Sequence, residues 1–126
     1  MTLRKHDAID GVSRETQERL QAFAAMLEKW NKSINLVSKL SMADVWERHI
    51  LDSLQLETLA PVCKQWVDLG SGGGFPGLVV AAVRAEAFPD MHMTLVESDQ
   101  RKCAFMAAAA DGMGLKVSIE CRRIEE

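Results

Sequence analysis

The sequence predicts an α/β protein: an N-terminal helical region followed by the first half (β-α-β-α-β) of a doubly wound sheet. Three observations carry that expectation. Apolar residues recur at helical spacing up to Pro61, and short β-rich runs replace that period after it. A glycine-rich turn at residues 68–77 joins the first such run to an apolar helical one. Strand-like and helical stretches then alternate onward. The predicted division is 1–62 for the helical region and 63–126 for the half-sheet.

Taken in order, Ser13 is the expected N-cap of the first helix, with Glu15 in a first turn that favours acids. Leu20, Phe23, Ala24, Leu27 and Trp30 form its apolar stripe, which ends near Trp30. Residues 31–40 read as a partly buried connector carrying Ile34, Leu36 and Val37. Ser41 and Asp44 resemble a capping box, opening a helix with Val45, Trp46, Ile50, Leu54 and Leu59 on its stripe; Pro61 stops it. Strand one is expected over 65–69, and its crossover helix over 76–87, since Pro suits a first helical turn. Pro89 and Asp90 break the chain before strand two at 92–97. A second helix spans 100–112 until Gly112 and Gly114 end it, and strand three covers 115–121.

The turn reads in two registers. Gly72-Gly73-Gly74-Phe75-Pro76-Gly77 is literally G-x-G-x-x-G, the dinucleotide fingerprint. Read from Asp68 it is instead Asp-x-Gly-x-Gly-x-Gly, the pattern of class I S-adenosylmethionine (SAM) binders. Asp68 would tend to repel a pyrophosphate, whereas SAM carries a sulfonium cation and no phosphate. No Lys follows the glycines, which argues against a nucleoside triphosphate loop. Glu97 ends the second β-rich run, where a carboxylate can accept from both ribose hydroxyls of an adenosine. That supports a nucleoside cofactor without separating SAM from NAD.

Composition narrows the classes further. The 126 residues are one domain's worth, and 48% hydrophobic with 26% charged is ordinary for a globular protein. A net charge of −3 means that nucleic acid would have to be met by a local basic patch. No apolar run approaches a membrane span, so no membrane partner is expected. Cys63, Cys103 and Cys121 lack C-x-x-C spacing and suggest a reducing cytoplasm. His6, His49 and His92 are scattered, and no metal site is expected.

Two further segments are specific. Residues 30–36 (Trp-Asn-Lys-Ser-Ile-Asn-Leu) followed by 45–54 (Val-Trp-Glu-Arg-His-Ile-Leu-Asp-Ser-Leu) strongly resemble the bacterial small-subunit ribosomal RNA methyltransferase G family, also called glucose-inhibited division protein B. The glycine segment matches it through the Phe75-Pro76-Gly77 ending, as do Leu95-Val96-Glu97-Ser98 with Lys102 and Phe105 after them. The resemblance covers roughly residues 20–126. It implies a class I methyltransferase sheet and SAM-dependent methylation of guanine N7 in 16S (small-subunit) ribosomal RNA or the ribosomal subunit. It also implies Gly70 and Phe75 at cofactor-contact positions, and Ile124 and Glu125 on the adenine side. Where the family has a His-Gly-Arg-x-Glu-like segment, this sequence reads Cys121-Arg122-Arg123-Ile124-Glu125.

The expected cofactor set is therefore Gly70, Gly72, Gly74, Phe75, Glu97, Ile124 and Glu125, with Arg48 and Arg123 as substrate candidates and no catalytic residue named. Guanine N7 has an in-plane lone pair and no proton, so transfer needs alignment rather than a general base. Arg48 can meet an RNA phosphate or the cofactor carboxylate, or pair with Glu47 or Asp52; His49 is expected to be a hydrogen-bonded structural histidine. Lys29, Lys32 and Lys39, and separately Arg101-Lys102, read as solvated charges with RNA contact as the alternative. A non-catalytic SAM-binding fragment or interaction module and an NAD-dependent oxidoreductase are the competing functions. With strand order 3-2-1, strand one is an apolar edge although 66–69 reads as buried. A fragment of a larger protein, or self-association through that edge, is the expectation.

Overall fold

The computed structural model describes residues 12–37, 44–70 and 72–125, with the side chains of residues 45–47 left aside. Ser41, Lys39 and the stripe positions Val45 and Trp46 thus lie outside what is described. Helix α1 (Arg14–Asn31) starts where expected: the Ser13 side chain accepts from Thr16 N–H at 3.1 Å. Its Leu20, Phe23 and Leu27 are fully buried. A π-helical turn, Val45–Ile50, runs directly into α2 (Leu51–Leu59). Leu59 departs from expectation: it is exposed, because the chain turns extended at Ala60 to meet Pro61 and leaves it facing away from the core.

Strand β1 (Gln65–Leu69), helix α3 (Gly77–Ala87), strand β2 (His92–Glu97), helix α4 (Gln100–Gly112) and strand β3 (Ser118–Cys121) follow in alternation. Strands pair in parallel in the order β1-β2-β3, with Val67 opposite Thr94 and Glu97 opposite Cys121. The α/β half-sheet read from the sequence is therefore present. Strand three is shorter than expected. Leu115 N–H still donates to Ala110 O at 2.9 Å, so Leu115 remains tied to the helix end before pairing starts.

The helices gather on one sheet face, where Met93 and Leu95 join Leu78, Val79, Phe105 and the α1 stripe in one core. The N-terminal helix thus shares its core with the sheet. The other face explains a correction at β1. Val67 and Leu69 are not buried but 55% and 57% exposed, while polar Asp68 points inward. Strand alternation forces that choice: turning Asp68 toward the helices turns its two neighbours away.

Arg84 on α3 is 2% exposed and saturates its guanidinium at the end of α2. It pairs with Glu57 at 2.9 Å and donates to the carbonyls of Glu57, Ala60 and Pro61 at 3.2, 3.1 and 2.9 Å. Trp66 of β1 flanks it, with its ring centroid 5.1 Å from the guanidinium carbon. Carbonyls at and just beyond the end of α2 are thereby satisfied from a neighbouring helix.

Candidate functional site

The site grows from the carboxyl end of β1. Asp68 Oδ2 accepts from Gly77 N–H at 2.9 Å, setting a carboxylate against the positive end of α3. A Cβ on Gly77 would collide with Leu95 Cδ2 and stand 2.6 Å from Asp68 Oδ2, so strand and helix close only over glycine. Gly74, at φ +92°, has its α-carbon turned to Leu78 and Phe23: a Cβ there would lie 2.8 Å from Leu78 Cδ1. Its demand is therefore both conformational and one of packing.

Glu97 joins two loops. Its Oε1 accepts from Gly72 N–H at 2.8 Å and its Oε2 from Asp99 N–H at 3.0 Å. A carboxylate offers about four lone-pair sites, so two remain for two further hydroxyl donors. Gly70, Glu97, Arg123, Ile124 and Glu125 line one cleft of about 180 Å³ beside this carboxylate. Residues from the glycine turn, the β2 end and the segment after β3 thus converge. Gly72 reaches the cleft through Glu97.

Phe75 and Arg48 sit elsewhere. They border a second cleft, of about 260 Å³, with His49, Ser53 and Pro76. Arg48 is largely exposed and pairs at 3.7 Å with Asp44, one helical turn back, a partner the sequence reading did not consider. His49 also departs from expectation. Its ring stacks on Phe75 at 4.9 Å, while its buried Nε2 has no hydrogen-bond partner among the described residues. Phe75 also meets Phe23, edge-on at 5.2 Å. Phe23 continues to Phe105 at 6.1 Å and Phe105 to Trp30 at 5.7 Å, a chain of five rings from α1 to the second cleft.

Two thiols brace the β2 corner. Cys103 Sγ donates to Glu97 O at 3.2 Å, and Cys121 Sγ to Ser98 O at 3.8 Å. Burial, and then the Cys121 thiol beside it, push the Cys103 thiol up to about 12. It stays protonated and has no nucleophilic use at neutral pH. No cluster among the described residues could hold a metal ion.

The sequence model described as rRNA small subunit methyltransferase G matches residues 16–126. The chain belongs to that family. Relatives called ribosomal RNA small subunit methyltransferase G include one from Ruegeria sp. (strain TM1040), 54% identical over 90% of this chain and 56% of its own length. Another, from Jannaschia sp. (strain CCS1), is 52% identical over 95% of this chain and 57% of its own. That from Gluconobacter oxydans (strain 621H) is 51% identical over 90% and 56%. The chain thus spans little more than half the length of these curated relatives.

The segment at 30–36, one of those that carry the family resemblance, has a visible structural task. Asn31 Oδ1 accepts from the Leu36 and Val37 N–H groups at 2.9 and 3.0 Å. The loop so formed lays Leu36 O against Gly73, 3.3 Å from where a Cβ would stand. Asn31, Asp99 and Gly77 are site-building residues that sequence reasoning missed. Asp99 was legible: an Asp before a helical run is a standard N-cap, and here it accepts from Arg101 and Lys102 N–H groups at 2.9 and 3.1 Å. The Lys102 N–H first among these holds its carboxyl below the usual range.

Proposed function

We propose that this chain is the SAM-binding half of an enzyme that methylates guanine N7 in small-subunit ribosomal RNA, acting in the cytoplasm. The observation that carries the cofactor choice is the Asp68 carboxylate on Gly77 N–H. In a dinucleotide fold the start of that helix receives the pyrophosphate. Here an acid already takes its first N–H, which disfavours a phosphate and suits a cationic cofactor. The donor set fits the rest of SAM: Glu97 keeps acceptor capacity for the ribose hydroxyls, Gly70 offers close backbone, and Ile124 and Glu125 supply an apolar contact and an acceptor for adenine. The bound cofactor would supply the methyl group from its sulfonium.

The chain's own residues then bind and orient. The Glu97 latch holds Gly72 and Asp99 in fixed relation, so ribose position and glycine-turn geometry are set together. The ring pair on Phe75 holds the turn's far end against α1 and the π-helical segment. Arg123, on the first cleft, and Arg48, on the second, are the proposed RNA contacts. N7 presents a lone pair and no proton, so these residues need only align the acceptor. The helical region 1–62 and the half-sheet 63–126 act as one body through their common core. The three free cysteines accord with a reducing compartment, and no helix among the described residues is long and apolar enough to cross a membrane.

Calorimetry of SAM and of NAD against the chain tests the cofactor. SAM should bind and NAD should not, and Glu97→Ala should weaken SAM by about 1–3 kcal/mol. NAD binding in preference to SAM would overturn the reading. For the reaction, a protein carrying this chain at its relatives' full length is given labelled SAM and small-subunit rRNA. Label should appear on guanine N7 after digestion to nucleosides; label only on other atoms, or on protein, would refute the assignment. A SAM-binding module without transfer would show binding in the first assay and none in the second.

A further inference from the structure

We infer that the groove between α1 and α4 is a second RNA contact, taking an unstacked nucleotide of single-stranded RNA apart from the methylated base. The inference rests on the RNA reading above. Lys29, Trp30, Ser33 and Ile34 line the groove from the α1 side, and Arg101 and Ala104 from α4, enclosing about 390 Å³. That volume lies in the range of ligand clefts, roughly 300–1,000 Å³. None of these lining residues is acidic. Each basic group alone is an ordinary solvated charge. The fold brings two of them, Lys29 and Arg101, distant in sequence, to opposite walls of one apolar groove.

The chemistry matches a nucleotide on both counts. Unstacked bases rest on aromatic faces and apolar side chains, and their phosphates seek lysine and arginine. Trp30 is held for such a role by Phe105, edge-on at 5.7 Å, so its ring does not have to be ordered on binding. The N-cap of α4, Asp99, has its Oδ1 engaged by the Arg101 and Lys102 N–H groups. Location favours RNA over an acidic peptide. Arg101 lies two residues after Asp99, whose N–H donates to Glu97, so the groove adjoins the carboxyl end of the sheet, where substrates of this fold class arrive.

The test uses the double variant Lys29→Ala/Arg101→Ala, both positions being exposed, with Trp30→Phe as a second variant that keeps a ring on Phe105. Binding of an oligouridylate of about 12 nucleotides is titrated across salt concentration. The slope of log affinity against log salt should fall by about 1.4 in the double variant, two contacts at about 0.7 each. Trp30→Phe should weaken binding several-fold with the slope unchanged, and SAM affinity should be constant throughout. An unchanged slope and affinity in the double variant would overturn the groove while leaving the RNA reading standing. A parent chain that binds SAM but neither oligouridylate nor small-subunit rRNA would overturn both. A polyglutamate peptide bound as tightly as the oligonucleotide, and lost in the same variant, would make the groove a peptide site instead.

Discussion

Arg84 and Glu57 meet at 2.9 Å beneath the surface, and the same guanidinium closes the open end of the helix that Glu57 belongs to. One side chain thereby neutralises an acid and satisfies three carbonyls. Arg84→Met should cost about 3 kcal/mol, the lower end for breaking a buried pair, since Glu57 keeps some contact with water. The double variant Arg84→Met/Glu57→Leu should lose less than the two single losses added. Urea unfolding of the parent, Arg84→Met, Glu57→Leu and the double variant checks both statements; strict additivity would mean that the pair is not coupled.

Gly77 and Gly70 should respond to alanine in different ways. At Gly77 the new methyl meets Leu95 and the Asp68 carboxylate, so Gly77→Ala should cost about 1–3 kcal/mol and weaken SAM binding by displacing α3. At Gly70 nothing stands within 4 Å, and only its φ of +71° resists, worth about 1–2 kcal/mol. Denaturation midpoints and SAM calorimetry on both variants separate a packing glycine from a conformational one. A smaller loss of stability at Gly77 than at Gly70 would contradict the distinction.

Glu86 anchors the start of α1 to α3. Ser13 Oγ donates to it at 2.7 Å and Arg19 at 3.3 Å, and these partners, Ser13 first, hold its carboxyl below the usual range. Its folded value lies below its unfolded one, so the contribution is complete above the ordinary Glu value of about 4.3 and vanishes as pH falls through the lower, folded value. Glu86→Gln should therefore lower the melting temperature slightly at neutral pH and leave it level with the parent in strong acid. A gap that persists in acid would assign the loss to something other than charge.

Thiol labelling at about pH 8 should modify exposed Cys121 quickly and spare Cys103 until the chain unfolds. Mass spectrometry of digests against time gives the order. Early labelling of Cys103 in the folded chain would show that the β2 corner opens readily.

Strand β1 has one open edge, and Val67 and Leu69 beside it face water together with Leu59 and Val62. Large apolar groups on an unpaired edge favour association, whether with further chain or with a second copy. Sedimentation of the isolated chain should show species above 14.0 kDa, and Val67→Lys should shift them back toward monomer. A stable, cooperatively melting monomer at high concentration would show that the half-sheet suffices alone.

The regular elements were legible because their signals are local. Ser13 as a cap, the period of Leu20-Phe23-Leu27 and the runs 65–69, 92–97 and 100–112 all fall where they were expected. What escaped depends on contacts between distant residues. Nothing local tells that Arg84, in an apolar helix, turns inward to α2. Strand alternation alone leaves open which of Asp68 and its neighbours faces the helices, because a buried acid needs a specific donor, and that donor is Gly77 N–H. Of the candidate site, the glycine turn, Glu97 and the segment 123–125 converge on one cleft. Arg48 and Phe75 border another, since their place depends on how the π-helical turn meets the loop.

The five-ring chain from Trp30 to His49 has a consequence for portability. Glycine turns of this kind are often regarded as interchangeable cassettes between doubly wound sheets. This one is clamped at Phe75 by rings that come from two separate helical segments, one of which ends in the Asn31 loop that also leans on Gly73. Grafted alone onto another scaffold, residues 68–77 would bring their glycines and leave their support behind. The transferable unit is the turn together with the helices before it, so the helical region belongs to the glycine turn as much as the sheet does.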